Sequence, residues 1–231
     1  MASRTKGEFA MLTVHHLNNS RSQRVLWLLE ELGVAYDIVR YQRRPDMLAP
    51  AELRAIHPLG KSPVITDGGK TIAESGAIAE YLVETCGNGR LIPPSNTPER
   101  LRYTYWLHYA EGSAMPPLLL KLLFTLMPQR APVLVRPLVR MISGQALTVL
   151  VNPQLKLYMA FWESELSKSE WFAGDDFTAA DVQMSFPIEA AAARGGLERS
   201  HPKAMAFLER IHARPGYQRA LERGGPYAVG R

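Results

Sequence analysis

Cysteine is almost absent from this chain: Cys86 is the one thiol in 231 residues. A single thiol excludes an internal disulfide and fits a reducing compartment, so the expected location is the cytoplasm. Cys86 sits among apolar positions just before "GNG" and reads as a small hydrophobe rather than a nucleophile. Long apolar runs are lacking too. The stretch "PPLLLKLLFTLM" is interrupted by Lys121 and falls short of a membrane span, so no membrane is expected as a partner. The opening "MASRTKGEFA" has no apolar signal region and reads as a short tail, with Met11 as an alternative start. No basic stretch is interleaved with aromatics. The formal net charge of +5 is spread along the chain, which suits small anions and gives nucleic acid little to hold. No glycine-rich phosphate loop follows a strand, and no repeat appears. His15 and His16 point to opposite faces of one strand without partners at ligand spacing, so neither a metal nor a resident cofactor is expected.

What is present is an ordinary globular composition, 46% hydrophobic and 21% charged, on a chain long enough for a sizeable core. Residues 11–17, "MLTVHHL", are β-formers without a breaker. From Val25 the apolar positions fall at helical spacing until Gly33, and "AYDIVRYQ" alternates as a second strand. A short helix follows at "PAELRAI". "SPVITDGGKTI" predicts a hairpin turning at Asp67-Gly68-Gly69, and "ESGAIAEYLVETC" an amphipathic helix. The order βαβαββα indicates a small sheet flanked by helices over residues 11–86. "GNGRLIPPSNTPER" is rich in turn formers and marks a linker, drawn at 87–97. From 98 to 231 the pattern is all helical. Pro116, Pro117, Pro128, Pro132 and Pro137 are expected to break or kink it. Helices are expected over 145–168, from "FTAADVQMSFP" onward, and over 202–213. Thr178 and Asp181 form an S/T-x-x-D capping pattern at the second of these.

Three stretches together carry a resemblance: "SRSQRVLWLLEELG", "HPLGKSPVITDGGKTIAESGAIAEYL" and "WFAGDDFTAADVQMSFP". With "YAEGSAMPPLLLKLLF", the chain resembles the cytosolic glutathione S-transferase superfamily, and within it the fungal Gtt-type branch and its bacterial relatives. The resemblance implies a thioredoxin-like glutathione-binding domain at 11–86, a helical domain from 98 onward, and a homodimer. It implies an enzyme with glutathione as co-substrate and a small hydrophobic electrophile or peroxide as second substrate.

The residues fit that expectation unevenly. Glutathione offers two carboxylates, an ammonium and a thiol. Ser62-Pro63, read as a cis X-Pro bond, would present Ser62's backbone to the peptide. Ser75 at the start of a helix would take the γ-glutamyl carboxylate on its hydroxyl and the helix N–H groups, although serine is also a common helix cap. Glu74 would take the ammonium, and Lys61 would neutralise the glycyl carboxylate. Arg43 and Arg44 are alternatives to Lys61, as are plain surface roles for both.

The thiol belongs at the polar knot Asn18-Asn19-Ser20-Arg21-Ser22. Lowering a thiol from a pKa of ~8.5 by about two units requires ~2.7 kcal/mol of preference for the thiolate. One charge-accepting hydrogen bond supplies roughly 1.5–3 kcal/mol and a helix end roughly 0.3–1 kcal/mol. Ungapped alignment puts the activating serine of serine-type members opposite Asn19, with Ser20 next. Asn19 therefore ranks ahead of Ser20, while Asn18 reads as a turn residue and Ser20 or Ser22 as the helix cap. Tyr103, Trp106, Tyr109 and Met115 are expected to supply the second-substrate pocket, with core packing as the plainer reading of their helical spacing. The departure from serine keeps a glutathione-dependent peroxidase or disulfide reductase in view. A non-catalytic glutathione-binding interaction protein is the reading from another class.

Overall fold

The computed structural model describes residues 12–44, 46, 48–225 and 227. The tail expected at 1–10 and the first residue of the expected first strand lie outside them. Two compact units emerge, one running through Arg90 and taking in the segment from Pro215, the other spanning Leu91–Arg214.

In the first unit, β1 (Thr13–Leu17), α1 (Ser22–Leu32), β2 (Asp37–Tyr41), α2 (Ala51–Ile56), β3 (Val64–Asp67), β4 (Lys70–Ala73) and α3 (Ser75–Cys86) follow in the expected order. The sheet order is β2-β1-β3-β4. β1 runs parallel to β2, which requires the α1 crossover, and antiparallel to β3. The β3–β4 hairpin pairs Asp67 with Lys70 around Gly68 and Gly69, both at positive φ. Gly33 ends α1 in the left-handed conformation that only glycine adopts cheaply.

A further helix, α10 (Pro215–Gly224), falls in this unit, although no separate helix is expected from sequence beyond residue 213. It explains a feature of α1. The apolar face read from sequence is buried, yet Ser22, Gln23, Arg24 and Trp27 on the other faces are buried as well. α10 lies against Gln23 and Trp27. Trp27 meets Tyr217 edge-on at 5.2 Å, and Glu30 accepts from Arg219 (2.8 Å) and Arg223 (3.2 Å). Gly216 and Gly224 are the points of closest approach. A Cβ at Gly224 would stand 2.4 Å from Gln23 Oε1, and one at Gly216 2.7 Å from Glu31 Oε1.

In the second unit the prolines do less than the sequence led us to expect. α4 (Pro98–Tyr109) and α5 (Met115–Arg130) are joined end to end by a π-helical turn over Ala110–Ala114. The wider turn sits just before Pro116 and Pro117, whose missing N–H groups would leave carbonyls unpaired in a regular helix. Pro128 also stays inside α5. The chain leaves the helix at Ala131, ahead of Pro132. Pro137 then falls in the first turn of α6 (Arg136–Ala146), where a proline lacks nothing. The same device recurs where a π turn at Leu147–Val151 precedes Pro153 in α7 (Asn152–Leu166). α8 (Ala179–Ala190) and α9 (Pro202–His212) complete the unit.

Its core is aromatic: Trp106 packs on Phe161 and Phe172, and Phe172 on Phe207. The capping box forms. Asp181, fully buried, accepts from Thr178 N–H (2.8 Å), Thr178 Oγ1 (2.9 Å) and Phe172 N–H (2.8 Å). Burial pushes its carboxyl up to about 6 against these hydrogen bonds.

Candidate functional site

The polar knot is where β1 hands the chain to α1. Asn18 accepts from the Arg43 N–H at 2.7 Å and donates its own N–H to the Tyr41 carbonyl at 3.1 Å, tying the ends of β1 and β2 together as a turn residue should. Asn19 follows with φ +48° and an exposed side chain. Short polar side chains tolerate that left-handed conformation best after glycine.

Ser20 is buried, and its hydroxyl is the hub of a chain. Ser20 Oγ lies 2.8 Å from Ser22 Oγ and 3.1 Å from Ser62 Oγ, and accepts the Ser22 N–H at 3.2 Å. Ser22 Oγ lies 2.9 Å from His16 Nδ1. Gly224 of α10 interacts with His16 through its backbone. Burial, then repulsion from Arg40 across the strand pair, pushes His16 down to about 4. His15, on the opposite face, is held by Tyr41 Oη (2.9 Å) and Thr66 Oγ1 (3.3 Å), which makes it a satisfied sheet histidine. Among the described residues, no three metal-ligating side chains cluster.

The Ser62–Pro63 bond is cis, on the approach to β3. Through Ser62 Oγ, this loop touches the head of α1. Lys61 beside it is exposed. At the far end of the hairpin Glu74 takes φ +72°, a conformation costing a non-glycine residue about 1–3 kcal/mol, and its carbonyl accepts from Ile78 N–H to open α3. Glu74 is exposed; Ser75, the first residue of α3, is buried. Arg24 Nη2 donates to Ser75 Oγ at 3.3 Å. A serine hydroxyl, a helix N-terminus and a guanidinium thus converge, a combination suited to a carboxylate. Burial and the neighbouring Arg21 hold the Arg43 guanidinium below its ordinary value. Arg44 instead pairs with Asp46 at 2.9 Å on the surface.

Models of the N- and C-terminal domains of glutathione S-transferases match residues 10–84 and 126–215. Glutathione S-transferase 3 of Schizosaccharomyces pombe is 35% identical over 213 residues, covering 92% of this chain and 88% of its own. This chain belongs to the glutathione S-transferase family. Glutathione S-transferase 1 of Saccharomyces cerevisiae is 30% identical, covering 92% of this chain and 95% of its own. A glutathione S-transferase from Actinobacillus pleuropneumoniae, solved by crystallography, matches with a TM-score of 0.78 at 31% identity, over 96% of each chain. The thioredoxin-like first unit and the helical second unit are the two halves of this family's fold.

The family's helical residues singled out from sequence occupy core positions in their unit. Tyr103 and Trp106 have almost no exposed surface. Tyr109, also buried, accepts from Trp162 Nε1 at 3.2 Å, and its burial raises its hydroxyl pKa. Met115, where the π turn meets α5, is buried as well. The exposed aromatic here is Tyr105, stacked on Tyr109 at 5.5 Å.

Sequence reasoning missed Arg24 and the contact of His16 with Ser22. Arg24 and Ser75 are 51 positions apart, and a lone arginine in an amphipathic helix reads as solvated. Only its place one helical turn from the polar knot hinted otherwise.

Proposed function

We propose that this family member binds reduced glutathione on the first unit, ionises its thiol at the head of α1 and transfers the sulfur to an apolar electrophile or a peroxide. The observation that carries this reading is the contact of Ser20 Oγ with Ser62 Oγ at 3.1 Å. It brings the head of α1, where a thiolate gains from the helix end, to the loop that we assign to the peptide backbone of glutathione. The γ-glutamyl carboxylate is assigned to Ser75 and the head of α3, with Arg24 behind it, and the ammonium to Glu74. Lys61 and the Arg21–Arg43 pair are assigned to the glycyl end. Asn19 and Ser20 are the residues assigned to the thiol. For the second substrate, Tyr109 with Tyr105 stacked on it supports the assignment better than Tyr103 or Trp106, which lack exposed surface. Glutathione is a co-substrate in this reading, with no resident cofactor, and a cytoplasmic homodimer is the proposed form.

Ultraviolet titration of bound glutathione tests the reading. A thiol pKa well below that of free glutathione, together with turnover of an aryl halide, is the expected result. Turnover of a hydroperoxide without the halide would move the assignment to a peroxidase. Failure of glutathione to bind would leave the family's fold here without its chemistry.

A further inference from the structure

Carboxylates are missing from a long stretch of the second unit. From Gly112 to Trp162 there is no Asp or Glu, while Lys121, Arg130, Arg136, Arg140 and Lys156 all fall there. Of the chain's 27 basic residues these are five, and the remaining 22 balance its 22 acidic ones. The cations are spread along the chain, but the net charge of +5 is carried by this stretch. Within it, α5 and α6 form a helical hairpin turning at residues 131–135. The tip is apolar and stands in water: Val133 is 74% exposed, Leu134 95% and Val135 45%. A single exposed leucine is ordinary, but three successive large apolar residues flanked by Arg130 and Arg136 are not. The turn is also well made for an apolar medium. Pro132 has no N–H, and its carbonyl accepts from both Val135 N–H (3.1 Å) and Arg136 N–H (3.0 Å).

Next to the tip, the last turns of α5 and the body of α6 enclose an open cavity of about 560 Å³. Arg136 and Arg140, one helical turn apart, line it with Gln129 and Ser143, and Phe124 and Leu147 supply apolar wall. Among the described residues, neither arginine pairs with a carboxylate. We propose that this hairpin tip docks the protein on an anionic phospholipid surface. Val133, Leu134 and Val135 enter the boundary between headgroups and acyl chains, and Arg130, Arg136 and Arg140 hold the headgroups, with the cavity taking a phosphate. The contact is peripheral. No helix among the described residues is long and apolar enough to cross a membrane, and lying on one needs only an apolar tip with a basic collar. Leu138, Met141 and Ile142 project from the opposite face of α6, so the tip and the arginine face are separate from that apolar patch. The inference is independent of the glutathione reading.

Co-sedimentation of the full chain with phosphatidylcholine vesicles, made with and without phosphatidylserine, tests the proposal. The chain is expected to pellet with the phosphatidylserine vesicles, to stay in solution with the neutral ones, and to be released as salt is raised. Leu134→Asp changes a side chain that packs on nothing in the fold, and it is expected to weaken vesicle binding by about tenfold or more. Arg140→Gln removes one charge from an exposed position and is expected to weaken it by roughly fivefold. Sedimentation velocity without vesicles is expected to give both variants the wild-type mass. Failure to pellet with phosphatidylserine vesicles, equal binding to neutral ones, or wild-type binding by Leu134→Asp overturns the docking. A lower particle mass for Leu134→Asp also overturns it, by assigning the tip to a second copy of the chain.

Discussion

His16 is buried, with Nδ1 2.9 Å from Ser22 Oγ and the Arg40 guanidinium disfavouring a second positive charge beside it. Its pKa is about 4 in the folded chain against 6.5 ordinarily, so between those values the unfolded state binds the proton more readily. Stability from His16 is therefore complete above pH 6.5 and lost as pH falls toward 4, by roughly 3 kcal/mol at most. Asp181 works in the other sense. Its folded carboxyl at about 6, against 3.8 ordinarily, costs stability as pH rises through the same range. The two slopes oppose each other, so the wild-type profile alone is uninformative. Denaturant midpoints of wild type and His16→Gln, measured at pH 4.5 and 7, isolate the histidine. The variant is expected to lose less stability on acidification than the wild type, and parallel profiles would deny His16 a neutral folded state.

At the scale of elements, α10 decides the surroundings of α1. Tyr217 is buried edge-on against Trp27, and removing a ring of that size from a packed site costs about 3 kcal/mol. Tyr217→Ala is expected to lower the thermal midpoint by several degrees. It is also expected to weaken glutathione binding, because α10 packs against Gln23 and Trp27 of α1, whose head carries the proposed site. A variant that melts early yet holds glutathione normally would separate α10 from the site. The long helices of the second unit show how an element is legible while its bounds are not. Proline there is expected to break or kink the helix, yet a π turn ahead of Pro116 accommodates the missing donors, and another does so ahead of Pro153. Such turns have no composition of their own, since the pattern of apolar side chains continues across them.

For the whole molecule, the proposed homodimer has a surface to test. Leu138, Met141 and Ile142 on α6, Val149 and Leu150 in the π turn, and Leu157 on α7 are all exposed. Met141, Ile142, Val149 and Leu150 line one surface depression, and an exposed apolar patch of this kind commonly marks an interaction surface. Sedimentation velocity is expected to give twice the chain mass. Met141→Asp combined with Leu150→Asp is expected to shift the particle toward the monomer with the first unit's glutathione site retained. A monomeric wild type would refute the dimer, and an unaffected dimer would move its interface elsewhere.

By itself the amino-acid sequence determined the order of strands and helices in the first unit, the Asp67-Gly68-Gly69 hairpin, the Thr178–Asp181 box and the place of Ser75 at a helix start. These depend on local spacing and turn chemistry, which a chain carries in neighbouring residues. It also brought forward Ser62, Glu74 and Ser75, because a motif in fixed order is local as well. Tertiary structure alone decided which polar residues were removed from water. Arg24 reaches Ser75 and Arg223 reaches Glu30 across 51 and 193 positions, and α10 buries faces of α1 that read as exposed. The meeting of Ser20 with Ser22 and Ser62, and of Ser22 with His16, belongs there too. Ser62 stands 42 positions from Ser20, so no local pattern in the sequence could bring the two hydroxyls together.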